Sequence, residues 1–204
     1  CEGNANGGTV VQSGVMKSAF GLLVLVPAFA DAQNNLQAGR QVPDFSLFRT
    51  DEQQVFKKDM MNEGDFFIYF VNVSDPLSDQ ATRFLVRHLG KYGGMKAKWK
   101  AVLNSGPVTA DKWTLTNDPN MDVFIDPTNR LAKLFGVKSA PTVVLVSRTG
   151  QALRVWQGWS GAGVKDLDRW IARMNGVSAK GASTAGFTNA TRYGRALSAT
   201  SSPR

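Results

Sequence analysis

The chain has 204 residues, 43% of them hydrophobic and 20% charged, the composition of a folded domain with tails and not of a fibrous or wholly disordered protein. Its net charge is +8, from 24 Lys and Arg against 16 Asp and Glu, and its one cysteine, Cys1, excludes an intrachain disulfide or a metal site built from several cysteines. No apolar run reaches the ~18 residues that mark a membrane-spanning helix.

Residues 1–32 read as an export signal or anchor. Met16-Lys17 supplies a short basic start, SAFGLLVLVPAFADAQ follows as a short apolar run, and the small residues Ala28, Ala30 and Ala32 suit cleavage after Ala30 or Ala32. Two further readings stay open: an uncleaved anchor through residues 16–30, and a lipoprotein acylated at Cys1. All three place the folded part outside the cytoplasm, in the periplasm or cell envelope.

Residues 33–176 form the domain. Gly39 to Leu47 predicts an extended lead-in, with Pro43 holding Val42 in β or polyproline geometry. FFIYFVNV, Phe66 to Val73, is nearly unbroken in aromatic and β-branched residues and predicts a central strand buried on both faces. A helix must start directly after it. Ser74 or Asp75 can cap it, Pro76 fits the first turn, and Asp79 suits the helix dipole. Leu77, Ala81, Phe84, Leu85, Leu89 and Tyr92 recur at spacings of three and four, and Gly93-Gly94 stops the helix.

Met95 to Leu103 alternates Ala97, Trp99, Ala101 and Leu103 with Lys96, Lys98 and Lys100, which predicts an edge strand protected by charge. Trp99 falls on the face opposite the lysines, so this is no nucleic-acid surface of interleaved bases and aromatics, and no nucleic-acid partner is expected. Residues 104–121 read as a polar connection around Pro107, Trp113 and Pro119. Met121 to Ile125 is a short strand, and Asp126-Pro127 caps a helix with Leu131, Leu134 and Phe135 inward. Thr142 to Val146 and Ala152 to Trp156 form a hairpin around Arg148-Thr149-Gly150, and Val164, Leu167, Ile171 and Met174 mark a closing helix with Asp166 and Asp168 early. Residues 177–204 are mostly Gly, Ala, Ser and Thr, with Lys180, Arg192, Arg195 and Arg204 and no acid. They read as a disordered basic low-complexity tail, or as an arm for an acidic partner or membrane face. The class is α/β: a mixed central sheet flanked by helices, with flexible N- and C-terminal tails.

GRQVPDFSLF (39–48), the strand running into VNVSDPLSD, DVFIDPTNRLAKLFGVKSAPTVVLVSRTGQ (122–151) and the helix around Trp170 resemble the thioredoxin-like superfamily. The closer resemblance is to its redoxin branch of TlpA-like and ResA-like periplasmic thiol-disulfide oxidoreductases and peroxiredoxins. The resemblance implies a thioredoxin-like fold and a cis bond at Ala140-Pro141, in a groove formed with Ser139 that can pair with an extended peptide. It also implies that Ser74 stands at the Trp, Asp75 at the first Cys and Ser78 at the second Cys of the family's W-C-x-x-C, with Pro76 and Leu77 between. Both sulfurs are missing from that pattern, and thiol-disulfide exchange needs a thiolate.

The other residues that suggest chemistry have plainer readings. Asp75 caps a helix; the only histidine, His88, lies between Leu85 and Leu89 as a packed side chain and not a metal ligand. Asp118, Asp122 and Asp126 lack the glycine turn and terminal glutamate of a calcium loop and read as caps and turns. Trp156 and Trp159 read as core. No catalytic residue, metal or cofactor is expected. The expected function is a redox-inactive extracytoplasmic binding or accessory subunit for a protein partner, for instance in a membrane complex. The alternative is a thiol-disulfide oxidoreductase or peroxiredoxin-like antioxidant protein whose thiol comes from a partner or from another chain's Cys1.

Overall fold

The computed structural model describes residues 36–93 and 98–197, all within one compact unit. Cys1 and residues 16–30 lie outside the described residues. At the centre is β3 (Phe66–Val71), whose six residues are all buried. Its pleat sends alternate side chains into two cores. Phe67, Tyr69 and Val71 pack with one apolar cluster, while Phe66, Ile68 and Phe70 join Met60, Phe124, Leu131 and Phe135 in another. Each fully buried aromatic here contributes roughly 1.5–3 kcal/mol, and Phe67 also stacks on Trp99 at 4.3 Å.

Around it run β1 (Ser46–Phe48), β2 (Gln54–Phe56), α1 (Lys57–Asn62), α2 (Pro76–Gly90), β4 (Lys98–Leu103), α3 (Pro107–Asn117), β5 (Asp122–Ile125), α4 (Arg130–Leu134), β6 (Thr142–Val146), β7 (Ala152–Gln157) and α5 (Gly161–Asn175). The sheet order is β2-β1-β5-β4-β3-β6-β7. The strands β3, β4 and β5 run parallel, joined by α2 and α3, and β6 and β7 form an antiparallel hairpin against β3. This is the mixed sheet that the succession of apolar runs predicts.

Three expectations are corrected. The lysine-bearing strand β4 is not an edge but lies between β5 and β3. Lys100 is 1% exposed, and its Nζ is held 2.7 Å from Glu63 Oε2 and 2.5 Å from Asp122 Oδ2. Two carboxylates offset the cost of burying the ammonium, and its long stem packs as apolar surface. The polar connection 104–121 contains α3, started by Pro107 after the Gly106 cap. It buries only Ala110 and Trp113, too narrow a stripe to announce a helix.

The third correction concerns the C-terminal segment. Residues 177–197 are not a free tail: Phe187 packs edge-on against Phe84 and Trp159, and Leu197 is buried. Its backbone bonds to the domain, with Gly161 N donating to Thr188 O and Arg192 exchanging bonds with Trp159. Few apolar residues are present, but Phe187 and Leu197 are inserted, and an average over composition hides them. Among the described residues no helix is long and apolar enough to cross a membrane.

Candidate functional site

The C-terminal end of β3 delivers the chain to the start of α2, where the backbone leaves the sheet through Asn72. Asn72 Oδ1 accepts from Ser74 N and Ser74 Oγ, and Asn104 Oδ1 accepts from Val73 N, so two amides hold the exposed turn. Asp75 follows in extended geometry (φ −103°, ψ 119°) as the N-cap, with Pro76 in the first turn. Its Oδ2 accepts from Ser78 N at 2.9 Å and from Ser78 Oγ at 3.0 Å. The cap satisfies an otherwise unpaired amide and puts negative charge on the positive end of the helix dipole, which together stabilise the helix by about 0.5–2 kcal/mol.

Beneath this cap, the Tyr69 hydroxyl donates to Ser78 O at 3.1 Å and lies 3.0 Å from Thr82 Oγ1. Burial drives the Tyr69 phenol far above its ordinary range. Leu77 turns into the core, while Pro76 and Ser74 are exposed. The start of α2 is therefore a carboxylate and a hydroxyl tied to one another, on a floor that holds its protons tightly.

The loop before β6 contains the cis peptide Ala140-Pro141. Thr142 Oγ1 donates to Ser139 O at 2.8 Å, which fixes the loop, and Ala140 is fully buried. The two regions are brought together through Gly194. A Cβ added at Gly194 would overlap both the Asp75 carboxylate and the Ala140 carbonyl oxygen. Asp75, which holds Ser78, and Ala140 of the cis-proline loop, separate in sequence, thus both lie against Gly194.

Other residues with chemical potential are placed elsewhere. His88 lies ten residues beyond Ser78 on α2, about 15 Å along the axis at 1.5 Å per residue. Its Nε2 is 2.7 Å from Asp168 Oδ1, and the Tyr92 hydroxyl donates to the same carboxylate oxygen. Burial opposes ionisation of Asp168, but the hydrogen bonds from Tyr92 and His88 outweigh it and hold the carboxyl below its ordinary value. Burial, with the bond to Asp168, pushes the Tyr92 phenol up to about 12. Asp168 Oδ2 also accepts from Gly181 N and Ala182 N, at 3.1 and 3.2 Å.

The remaining acids follow the cap-and-turn reading in part. Asp126 accepts from Arg130 N and Leu131 N at the start of α4, Asp118 ends α3 in left-handed geometry, and Asp122 pairs with Lys100. No group of three His, Cys, Asp or Glu side chains is placed to hold a metal among the described residues. Trp156 and Trp159 are buried, and Trp156 Nε1 donates to Asp166. Asn72, Asn104 and Asp168 were not singled out as site residues by the sequence. For Asn72 a signal existed, since it is the polar residue that interrupts an apolar run at its end.

No family model matches the chain, and no curated protein matches it. Solved structures do. A hypothetical protein from Sinorhizobium meliloti 1021 superposes with a TM-score of 0.64 at 15% identity, over 83% of this chain and 98% of that one. A putative thiol:disulfide interchange protein DsbE from Chlorobium tepidum gives 0.60 at 24% identity, over 68% of this chain and 98% of that one. The peroxidoxin BcpB from Mycobacterium tuberculosis gives 0.58 at 14%, over 70% and 99%. Strand order, cis-proline loop and capped helix start together define a thioredoxin-like fold, which the chain shares with these structures.

Proposed function

We propose that this thioredoxin-like domain is a redox-inactive binding or accessory subunit that works outside the cytoplasm and contacts a protein partner, for instance in a membrane-associated assembly. The observation that carries the reading is the pairing of Asp75 with Ser78 at the α2 N-terminus beside the cis-proline loop. A carboxylate accepting two hydrogen bonds and the hydroxyl that donates one of them have no sulfur redox states to cycle through. Ser78 also has no imidazole beside it, because His88 is committed to Asp168. What the groove keeps is backbone: the carbonyl and amide of Ala140 can pair with an extended segment. The export-like residues 16–30 and Cys1 support an envelope location and offer two routes of membrane attachment, which the intact mass of the mature protein distinguishes.

An insulin-reduction and peroxide-consumption assay tests the reading. The protein gives background rates in both, unchanged when Cys1 is blocked with a thiol reagent. A rate near that of a thiol-disulfide oxidoreductase, abolished by that block, would instead establish the reading in which the thiol comes from Cys1 of another chain.

A further inference from the structure

The site described above is not open in this structure, because the chain's own C-terminal segment lies in it. Gly194 N donates to Ala140 O at 2.9 Å, Ala140 N to Arg195 O at 3.3 Å, and Leu197 N to Lys138 O at 3.1 Å. Asn72 Nδ2 adds a bond to Ala196 O at 3.3 Å, and Ser139 pairs with Ala196 as an antiparallel bridge. One turn back, Trp159 and Arg192 exchange both backbone bonds, at 2.8 and 2.9 Å. The segment from Arg192 to Leu197 thus satisfies the backbone groups on both sides of the cis-proline loop, as an added strand would.

The contacts also select side chains. At Gly194 nothing larger than hydrogen fits, because a Cβ would overlap the Asp75 carboxylate and the Ala140 carbonyl. Three residues on, Leu197 is buried among the apolar side chains of the Phe66 face of the sheet. Tyr193, Arg195 and Ala196, around and between them, are exposed. The domain makes its own allowance for the approach at Gly158: with φ +71°, a Cβ there would fall 2.5 Å from Arg192 O. Upstream, Asp168 and Tyr92 hold the backbone of residues 180–182, so the segment is tethered before it reaches the groove.

We propose that residues 192–197 are an internal ligand of the cis-proline groove. The groove reads an extended backbone with glycine over Asp75 and an apolar side chain three residues later. A segment of a partner protein carrying glycine-x-x-leucine competes with the internal one for the same bonds. The proposal rests on the binding reading above and deepens it, by naming what the groove binds and what keeps it closed. An internal segment is present at an effective concentration of order millimolar, so a partner must displace it, and the apparent affinity falls by the occupied fraction.

The test uses the full chain, its Gly194→Val variant, and a fluorescent peptide with the sequence of residues 190–197. In the unmodified chain the amides of Ala140, Gly194 and Leu197 exchange slowly with solvent. In Gly194→Val their exchange rises at least 100-fold, while amides of β3 and β6 stay protected. The peptide binds Gly194→Val at least ten times more tightly than the unmodified chain, and a peptide with valine in place of its glycine binds neither. Leu197→Ala, which leaves Asp75 and the cis-proline loop untouched, gives an intermediate rise in exchange and keeps the test valid if Gly194→Val folds poorly. Fast exchange at Gly194 in the unmodified chain overturns the internal ligand and leaves the partner-binding reading standing. Equal peptide affinity for both chains overturns the competing internal ligand, and equal affinity of both peptides overturns the selection for glycine. Slow exchange at Gly194 in a protein that nonetheless reduces insulin would support the internal ligand while removing the redox-inactive reading, so the two failures are told apart.

Discussion

The two ends of α2 carry similar residue types and do different things. At its C-terminal end His88 and Tyr92 meet Asp168, a histidine, a phenol and a carboxylate within hydrogen-bond distance, all less than a tenth exposed. At its N-terminal end Asp75 meets Ser78 and a glycine. The first constellation has the composition of a catalytic site, and it serves as a buried fastening that holds the start of the C-terminal segment. The second has little reactive chemistry, yet it faces the groove. Composition alone therefore does not single out a candidate site: the second is a candidate because the end of a central strand, a capped helix and a cis-proline loop meet there.

Removing Asp168 gives the largest expected effect. Asp168→Ala leaves His88, the Tyr92 hydroxyl and the amides of residues 181 and 182 without their acceptor, and chemical denaturation should record a loss of about 3–5 kcal/mol. Should the loss be under 1 kcal/mol, the C-terminal end of α2 is no fastening and the contrast between the ends fails. Asp75→Ala is milder. It removes a cap and frees the Ser78 amide and hydroxyl, so a loss of about 0.5–2 kcal/mol is expected in the same measurement.

The pH dependence separates the ends as well. Because Asp168 is held below its ordinary value, the folded chain binds fewer protons than the unfolded one as the pH drops toward that value. Its contribution is fully present above the ordinary carboxylate range and is lost as the pH falls through its lowered folded value. Thermal melts from pH 6 to 3 should therefore fall less steeply for Asp168→Asn than for the unmodified chain. Parallel slopes would show that the carboxylate is not stabilised by folding.

Much of the architecture could be read from the chain because it rests on strong local signals. The run FFIYFV marks a doubly buried strand, Asp75-Pro76 directly after it marks a helix start, and the cis bond at Ala140-Pro141 follows from the resemblance that FGVKSAPTVVLVSRTG carries. What could not be read depends on partners distant in sequence. Lys100 looks like an exposed edge charge until Glu63 and Asp122 arrive from elsewhere in the fold. Residues 177–197 look unfoldable by composition, because the groups that order them belong to Trp159, Ala140, Asp168 and Phe84. The same blindness applied at the site. Asp75 and Ser78 follow from the resemblance, but nothing in the sequence says that Gly194 lies against Asp75.

On the proposed reading, the start of α2 has the frame of a thiol-disulfide site without its sulfurs. Asp75→Cys combined with Ser78→Cys, in a chain whose Cys1 is blocked, tests it most directly by thiol titration and insulin reduction. The variant is expected to lose both new thiols to one intramolecular disulfide on mild oxidation and to gain insulin reduction above the background of the unmodified chain. Two thiols that stay free under those conditions, or a variant no more active than its parent, would contradict it.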